Sequence, residues 1–520
     1  MTIELIPESA PFTREQRAWL NGFFAGYLGI DESSGIEINQ AAVTVSSQQT
    51  EEEEDYPWHD DSMPIDERIK LAAGKPYRLK LMAAMGQQDC GQCGYYCKTY
   101  ADAISNGSET DLTLCVPGGR QTRKMLKALV AEGPGKDEAM SVQKTVQTPE
   151  YSRNNPYVAK ILAIKPLHKE GSIKETYHVA IDLADGKIKY QPGDTLGILP
   201  KNGPQLVNAV LEVFNATGKE IITLNKQSTT LQEVMVNQLD VTKPSDEVIE
   251  YLARYAKDED ESRALALLVE EGAEEGQDLL EILEDFPSSR PDILELVTHL
   301  GKLQPRLYSI ASSPNMYTNE VRLTVGTVRY RRKKRLCKGV ASAYFADSLK
   351  SGDSIKVYVH PSYHFRLPKD GDTPIIMIGP GTGIAPFIAF LQERLMLGHK
   401  GKNWVFFGNP HSKTDFFYEE ELMRYRKDGL LTKLDTAFSR DQKDKIYVQH
   451  RMLQRSRELW KWIHEDGAVI YVCGDASKMA RDVDEALHRI AVQTNNLSEE
   501  EAKDYIKKVT KERRYLRDVY

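Results

Sequence analysis

The pattern of apolar and polar residues changes several times along this chain, and each change marks a predicted boundary. From Thr13 to Leu28 apolar and aromatic residues recur at helical spacing, and Thr13 with Gln16 fits a capping box. This stretch predicts an amphipathic docking helix. Residues 46–64 are acidic and residues 131–152 are polar, both without periodicity, and both predict flexible linkers.

Strand-like alternation begins near residue 157 and is interrupted once by helices. The strand patterns are Val158–Ile164, Tyr177–Ile181, Asp194–Leu199, Arg306–Ser309, Val321–Tyr330 and Ser354–Val359. Between them, residues 203–301 carry long amphipathic helices such as Glu247–Tyr255 and Ser262–Glu271. One antiparallel β-barrel with a helical connecting insert explains this order more simply than two separate β domains.

After Pro374 strands and helices alternate. Strands are predicted at Ile375–Ile378, Trp404–Gly408, Thr432–Phe438 and Val469–Cys473. A glycine-rich turn over residues 379–386 joins the first strand to a helix at Phe387–Leu397, an arrangement in which backbone N–H groups face an anion. The candidates for binding a dinucleotide phosphate are Gly379, Gly381, Thr382 and Gly383. The alternative is that these glycines serve only the tight packing of an α/β fold.

The predicted fold class is α/β plus all-β. An antiparallel barrel with a helical insert is followed by a nucleotide-binding parallel α/β domain, and a small α-rich four-cysteine module precedes both. The predicted segments are a docking helix (1–45), an acidic linker (46–64), the cysteine module (65–130), a linker (131–152), the barrel domain (153–370, insert about 203–301) and the nucleotide-binding domain (371–520).

Composition limits the classes of function. A chain of 520 residues is too long for one core and suggests about three or four domains. The 68 Lys and Arg against 76 Asp and Glu give a net charge of −8, which argues against general nucleic-acid binding. No apolar run approaches membrane-spanning length and no signal-peptide pattern opens the chain. A cytoplasmic protein without membrane insertion is therefore predicted.

Four of the six cysteines are clustered. Cys90, Cys93, Cys97 and Cys115 have the spacing C-x2-C-x3-C-x17-C, and in a reducing compartment such a cluster indicates a metal before disulfides. Four thiolates can hold one iron–sulfur cluster, and neighbouring glycines let N–H groups reach the sulfurs. A zinc site is the alternative, with disulfides third. Cys337, which stands apart, is interpreted as structural.

The predicted strand Arg306–Ser309 carries the first candidate cofactor site. Arginine pairs with pyrophosphate and an aromatic side chain stacks on a flat ring, so Arg306 and Tyr308 suit a flavin dinucleotide. Strand geometry places these two on one face and Ser309 on the other. A second anion site, at the start of a predicted helix, consists of Lys338, Gly339, Val340, Ala341 and Ser342. The alternatives are an ordinary strand with a surface arginine, and simple helix capping.

Coenzyme preference has its own candidates. Ser439, Arg440, Lys445, Tyr447 and Gln449 follow a predicted strand. An NAD site would place an acidic residue on the ribose hydroxyl, whereas a hydroxyl, two cations, a phenol and an amide suit a ribose 2′-phosphate. NADPH is therefore the predicted coenzyme, and a solvated polar edge is the alternative.

These motifs, in their order along residues 157–520, resemble the NADPH-dependent flavin reductase family, and within it the sulfite reductase flavoproteins. The motifs are Arg306–Ser309, Gly339–Ser342, Tyr363–Pro368, Gly379–Pro386, Phe406–Gly408, Val472–Asp475 and Arg517–Tyr520. The resemblance implies that residues 153–370 bind FAD and that residues 371–520 bind NADPH.

The resemblance also implies roles for individual residues. The implied hydride-transfer residues are Ser309, Cys473, Asp518 and Tyr520. The implied cofactor-binding residues include Arg306, Leu307, Tyr308, Gly339 and Asp475. By this resemblance Tyr308 packs on the isoalloxazine, Ser309 lies near its reactive nitrogen, and Tyr520 covers the face that nicotinamide must reach.

The chain departs from the resembled family before residue 150. The sulfite reductase flavoproteins carry a flavodoxin-like FMN domain there, and residues 1–150 show no counterpart. Cys90–Cys115 instead resembles a small four-cysteine [4Fe-4S] domain, although that domain usually has one more residue between its second and third cysteines. The predicted route runs from NADPH to FAD to the cluster and on to a haem-containing sulfite reductase subunit. The alternatives are a stand-alone NADPH reductase of a ferredoxin, flavodoxin or haem protein, and a non-catalytic metal-binding docking subunit.

Overall fold

Two large β-sheets, one antiparallel and one parallel, organise the chain. They belong to a computed structural model that describes residues 56–59, 63–88, 93–134, 151–183, 188–224, 227–274, 276–362, 364–476 and 478–520. Residues 57–520 form one compact unit. The predicted docking helix at 13–28, most of both predicted linkers, and Cys90 lie outside the described residues.

The cysteine-containing segment is helical. Its described helices are α1 (Ile65–Leu71), α2 (Tyr77–Ala83), α3 (Cys97–Ser105) and α4 (Gly119–Glu132). Pro64 and Pro76 precede the first two helices. At this position the backbone N–H would have no partner within the helix, so proline, which lacks it, costs no hydrogen bond. Helix α3 begins at Cys97, the third of the four clustered cysteines.

The next part of the chain supplies ten strands. They are β1 (Tyr157–Pro166), β2 (Thr176–Asp182), β3 (Thr195–Leu199), β4 (Ile221–Leu224), β5 (Gln227–Thr230), β6 (Arg306–Ser309), β7 (Glu320–Gly326), β8 (Arg329–Arg332), β9 (Arg335–Lys338) and β10 (Ser354–His360). Six of them form the antiparallel sheet in the order β6-β3-β10-β1-β2-β7. The single strand predicted at residues 321–330 is in fact two, because β7 pairs with β2 whereas β8 pairs with β9 in a separate hairpin.

The edge strands of this sheet approach each other just beyond β6. Ile310 forms an isolated bridge with Leu323, and the N–H of Ala311 donates to the carbonyl oxygen of Arg322 at 2.7 Å. A fully closed barrel stays a prediction.

Helices occupy the chain between β3 and β6, two strands that pair in the same sheet. They are α5 (Pro204–Val213), α6 (Leu231–Asn237), α7 (Asp246–Tyr255), α8 (Glu259–Glu271), α9 (Leu279–Asp285) and α10 (Ile293–Leu296). Val207, Val248 and Leu279 belong to one buried cluster of this region. The hairpin β4–β5 was not predicted, because Gln227–Thr230 is polar and partly exposed and so lacks an apolar alternation.

The last 180 residues or so contain one short helix that precedes β10, followed by the helices of the parallel-sheet region. They are α11 (Val340–Ala343), α12 (Ala385–Met396), α13 (Ser412–Asp415), α14 (Glu419–Lys427), α15 (Val448–Gln454), α16 (Ser456–Trp460), α17 (Met479–Asn495) and α18 (Glu499–Lys511). Among the described helices, none combines the length and the apolar character that crossing a membrane requires.

The parallel sheet has five strands in the order β13-β12-β11-β14-β15. They are β11 (Ile375–Ile378), β12 (Asn403–Asn409), β13 (Lys433–Phe438), β14 (Val469–Gly474) and β15 (Tyr515–Val519). Every residue of β12 is buried, as expected for a parallel strand covered on both faces. The strand β15 was not predicted, because this short edge strand carries charged residues at two of its five positions.

A buried carboxylate links the two sheets. Asp194, which precedes β3, accepts N–H groups from Gln191 at 2.7 Å and from Ser362 at 2.9 Å, and it pairs with Arg366. The carbonyl oxygen of Arg366 accepts a hydrogen bond from Tyr471 of β14 at 2.6 Å. This network ties the antiparallel sheet to the parallel one beside the candidate site.

Candidate functional site

A large cavity gathers most of the residues predicted to bind FAD. Its volume is about 1350 Å³, above the roughly 300–1,000 Å³ of most ligand pockets. The predicted residues that line it are Arg306, Leu307, Tyr308, Ser309, Gly339, Val340, Ala341, Ser342, Thr382 and Tyr520. All four residues of β6 line it, although alternation places Tyr308 and Ser309 on opposite faces. Since β6 is an edge strand, both of its faces can border the cavity.

Ser309, Asp518 and Cys473 meet at one oxygen atom. The hydroxyl of Ser309 donates to Oδ2 of Asp518 at 2.7 Å, and the thiol of Cys473 donates to the same oxygen at 3.7 Å. The register of the parallel sheet pairs Cys473 with Asp518, whereas Ser309 comes from the antiparallel sheet. The junction of the two sheets therefore assembles three residues that the sequence motifs had named separately.

Burial controls the protonation of this group. Burial raises the pKa of Asp518 above its ordinary value, and the hydrogen bonds from Ser309 and Cys473 oppose that shift. Burial also raises the pKa of Cys473 well above the usual value for a thiol. Cys473 therefore stays a protonated hydrogen-bond donor at neutral pH, and the arrangement suits orientation of a reacting ring more than nucleophilic attack.

Two tyrosines frame the same cavity. The hydroxyls of Tyr520 and Thr382 lie 2.8 Å apart in a hydrogen bond, and Tyr520 remains 39% exposed. The ring of Tyr308 packs edge-on against Phe345 with centroids 6.0 Å apart. Tyr308 and Tyr520 both line the cavity, so a flat ring system has aromatic surfaces available there.

The predicted phosphate-binding residues divide into two groups. Arg306 Nη1 donates to the carbonyl oxygens of Gln304 at 2.9 Å and Pro305 at 3.4 Å, so its guanidinium retains further donors for an anion. Lys338 instead pairs with Asp347 at 2.7 Å and is not among the residues that line the cavity. Arg329 and Lys338 hold the pKa of Asp347 at about 2.

The glycine-rich turn before α12 is shaped by close packing. A Cβ on Gly383 would lie 2.1 Å from the carbonyl oxygen of Cys473, and one on Gly379 would lie 2.3 Å from that of Gly383. Gly381 has a φ of +59°, which favours glycine. Close packing thus accounts for Gly379 and Gly383, and the left-handed backbone accounts for Gly381, while Thr382 lines the large cavity.

The predicted NADPH-selective residues lie together at one edge of the parallel sheet. Ser439, Arg440, Lys445, Tyr447 and Gln449 occupy the stretch from the end of β13 to the first turn of α15. The side chain of Arg440 is exposed, and the amide of Gln449 donates to Asp482 at 3.0 Å. The edge therefore presents cations and hydroxyl groups to an incoming anion.

Two carboxylates that follow strands of the parallel sheet, Asp441 after β13 and Asp475 after β14, accept backbone N–H groups. Asp475 accepts N–H groups from Lys478 at 2.7 Å and Met479 at 3.1 Å, so in the structure its carboxylate bonds to backbone at the start of α17. Asp441 accepts the N–H of Ser412 at 3.1 Å, and hydrogen bonds from the side chain and backbone of Ser412 lower the pKa of Asp441.

The three described cysteines of the cluster border one small cavity. Its lining includes Cys93, Cys97 and Cys115, together with Gly86, whose N–H points at the sulfur of Cys115 at 3.3 Å. Among the described residues no group of three or more His, Cys, Asp or Glu forms a metal-binding arrangement, and Cys90 is not described. The predicted four-cysteine metal site is therefore not shown.

Sequence reasoning missed the residue that joins the cysteine segment to the FAD region. Arg153 donates to the carbonyl oxygen of Cys93 at 2.9 Å, lies 4.4 Å above the ring of Tyr95, and contacts Glu109 at 3.7 Å. It also bonds to Gln304, two positions before Arg306. Arg153 follows a predicted linker, and no local pattern distinguishes it from a surface cation.

Comparison with known proteins agrees with the two-sheet architecture. The FAD binding domain family matches residues 149–344, and the oxidoreductase NAD-binding domain family matches residues 377–485. The sulfite reductase (NADPH) flavoprotein alpha-component of Bacillus subtilis is 43% identical over 424 residues, which are 80% of this chain and 70% of the relative. Its namesakes from Photorhabdus laumondii and Escherichia coli O157:H7 are 42% and 40% identical, over 63% and 64% of their own lengths. The chain thus spans about two thirds of the length of these relatives.

Proposed function

Because this chain belongs to the family of NADPH-dependent sulfite reductase flavoproteins, we propose that it carries electrons from NADPH through FAD to a protein partner. The proposed partner is the haem-containing subunit of an assimilatory sulfite reductase, as the names of the relatives suggest. The predicted division into an FAD-binding domain at 153–370 and an NADPH-binding domain at 371–520 is part of this proposal.

The large cavity suits FAD in size and in chemistry. Arg306 and the turn at Gly339–Ser342 would hold the diphosphate, and Tyr308 and Tyr520 would flank the ring system. Bound FAD supplies hydride acceptance from NADPH and the release of electrons one at a time. The polar edge at Ser439 and Arg440 would hold the 2′-phosphate of NADPH.

The residues at the junction of the sheets position the reacting groups in this proposal. Asp518 accepts the hydrogen bond of Ser309, which would hold the hydroxyl oxygen of that side chain in place as an acceptor beside the cavity. Cys473 remains a thiol and adds a second hydrogen bond to Asp518. Tyr520, tethered to Thr382, would cover the flavin face and move aside for nicotinamide.

We further propose that the cysteine module is the exit for electrons and that its four cysteines hold a [4Fe-4S] cluster. Cys93, Cys97 and Cys115 border one small cavity, and a backbone N–H reaches the sulfur of Cys115, a contact typical of iron–sulfur sites. Cys90 would complete the ligand set. A zinc site, or a module that only docks the partner, is the competing hypothesis.

One observation carries this route: Cys93 and Cys115 border both the small cysteine cavity and the large cavity of the FAD residues. The test is anaerobic purification, followed by analysis of FAD, iron, sulfide and zinc and by a visible spectrum before and after NADPH. The proposal expects bound FAD, iron with sulfide, and cluster absorbance that bleaches with NADPH. Zinc without sulfide would overturn the cluster, and a chain that retains no flavin would overturn the reductase itself.

Coenzyme preference is tested at the polar edge. Arg440→Ala removes a charge-assisted contact worth about 1.5–3 kcal/mol, so the KM for NADPH is expected to rise roughly ten- to a hundredfold. The KM for NADH should change little, because NADH lacks the 2′-phosphate. Lys443→Ala, which removes an exposed cation from the same loop, is the matched control. Equal losses with both coenzymes in steady-state assays would contradict a 2′-phosphate site.

The C-terminal aromatic residue is tested by deletion. If Tyr520 covers the flavin, deleting it should tighten NADP⁺ binding, improve the use of NADH and slow product release. Thr382→Val keeps the ring but removes its 2.8 Å hydrogen bond, and should shift the same properties in the same direction by less. Stopped-flow and equilibrium titrations measure all three. Unchanged NADP⁺ affinity and unchanged flavin reduction after deletion would refute the covering role.

A further inference from the structure

The cysteine module closes one side of the cavity that we assign to FAD. Helix α4 contributes Arg120, Arg123 and Lys127, which recur at i, i+3 and i+7 and therefore share one helix face. Residues 110–116 of the same module line the cavity as well. Its wall therefore includes residues from outside the matched FAD-binding region, which spans residues 149–344.

Contacts through intervening segments link this wall to the turn that would hold the diphosphate. Within the turn, the N–H of Gly339 donates to the carbonyl oxygen of Val328 at 2.9 Å. Two residues beyond Val328, the hydroxyl of Tyr330 donates to the carbonyl oxygen of Gly276 at 3.1 Å. Gly272, in the loop that leads to Gly276, faces the guanidinium of Arg120, since a Cβ there would lie 2.9 Å from Nη2. A short series of contacts thus connects the phosphate turn to Arg120.

The charges on this wall are unevenly neutralised. Arg123 forms an ion pair with Asp246 of α7. In the part of the chain that the structure describes, neither Arg120 nor Lys127 has a carboxylate partner, and both are exposed to the cavity. Carboxylates such as Asp111, Asp240 and Glu274 line the same cavity, so its charge is mixed, but Arg120 and Lys127 are cations of α4 that line it without an ion pair among the described residues. They can therefore pair with an anion, and the diphosphate of FAD is dianionic.

We propose that Arg120 and Lys127 bind the adenosine diphosphate half of FAD, so that the cysteine module is part of the flavin site. This inference rests on the proposal that FAD occupies the large cavity. It is independent of whether the four cysteines hold iron, zinc or no metal. Its consequence is that flavin retention and the electron exit share one structural element.

The test measures flavin affinity in the full-length chain after removal of bound flavin. FAD and riboflavin are titrated separately and followed by flavin fluorescence, since riboflavin lacks the diphosphate and the adenosine. Arg120→Ala is expected to weaken FAD binding about tenfold, the loss of one charge-assisted contact. Arg120→Ala combined with Lys127→Ala should weaken it further, while riboflavin affinity stays unchanged in both. Lys124→Ala removes a cation from the same helix that does not line the cavity, and should leave FAD affinity unchanged.

FAD affinity that is unchanged in the double variant would overturn the proposal. Equal losses of FAD and riboflavin would also overturn it, because the effect would then come from disturbed packing of the module. Neither result depends on electron delivery to a partner, so the test separates this inference from the proposed relay. A chain in which no variant or wild type binds FAD would instead refute the proposed function itself.

Discussion

Cys115→Ser is expected to abolish electron delivery to the proposed haem-containing partner while sparing the chemistry at the proposed flavin site. Cys115 is buried and borders both cavities, so its loss would remove a ligand from the proposed exit. Partner reduction should fall by orders of magnitude, together with loss of iron and of the absorbance that NADPH bleaches. NADPH-driven reduction of ferricyanide should stay nearly intact, because that small oxidant takes electrons from the flavin directly.

Matched variants separate the relay from docking and from folding. Cys337→Ser alters a buried cysteine of β9 outside the cluster and should leave partner reduction unchanged. Cys90→Ser should reproduce the effect of Cys115→Ser. Cys97→Ser tests whether Cys97 is a ligand despite the shortened spacing, because a retained cluster would show that it is not. Full partner turnover by a cluster-free Cys115 variant would rule out the relay. A parent protein that lacks the cluster absorbance, together with at most a docking defect in the Cys115 variant, would indicate a zinc or structural module and would also rule out the relay.

Asp518→Ala is expected to slow flavin reduction by NADPH about 100-fold, in the range found when one positioned group is removed from an active site. The substitution deletes the acceptor that fixes Ser309 at 2.7 Å. Ser309→Ala should cost a similar factor, and the double variant should lose little more, because linked residues act as one unit. Asp518→Asn keeps an acceptor oxygen and should recover most of the rate in stopped-flow measurements. Fully additive losses would contradict a shared role.

The raised pKa of Asp518 makes a separate prediction about stability. Because folding favours its protonated form, the stability that this preference contributes is complete below the ordinary pKa of 3.8 and is lost as pH rises through the folded value. The free energy of unfolding of the wild type, relative to Asp518→Asn, should therefore decline as pH increases above 3.8. A difference that rises with pH would show that the carboxylate is stabilised in its ionised form.

Local patterns predicted most of the elements of the two large sheets. Strands β6 and β11 have the predicted bounds, because a short apolar or mixed run between turn residues marks a strand through backbone geometry alone. The hairpin β4–β5 and the edge strand β15 were not predicted. A polar segment forms a strand only by pairing with another strand, and the periodicity of the sequence does not reveal that partner. Within the glycine-rich turn, the close contacts of Gly379 and Gly383 with neighbouring backbone depend on strand packing and could not be predicted from the sequence.

The sequence by itself determined the family motifs, the order of the sheets and the residue types that suit FAD and NADPH. Only the tertiary structure decided that Ser309 bonds to Asp518 and that Lys338 forms an ion pair with Asp347. It also decided that Arg153 connects the cysteine segment to Gln304 through hydrogen bonds. The physical reason is the separation of the contacting residues along the sequence. A motif records what neighbours along the chain require, whereas these contacts join residues up to 209 positions apart and exist only once separate cores have packed together.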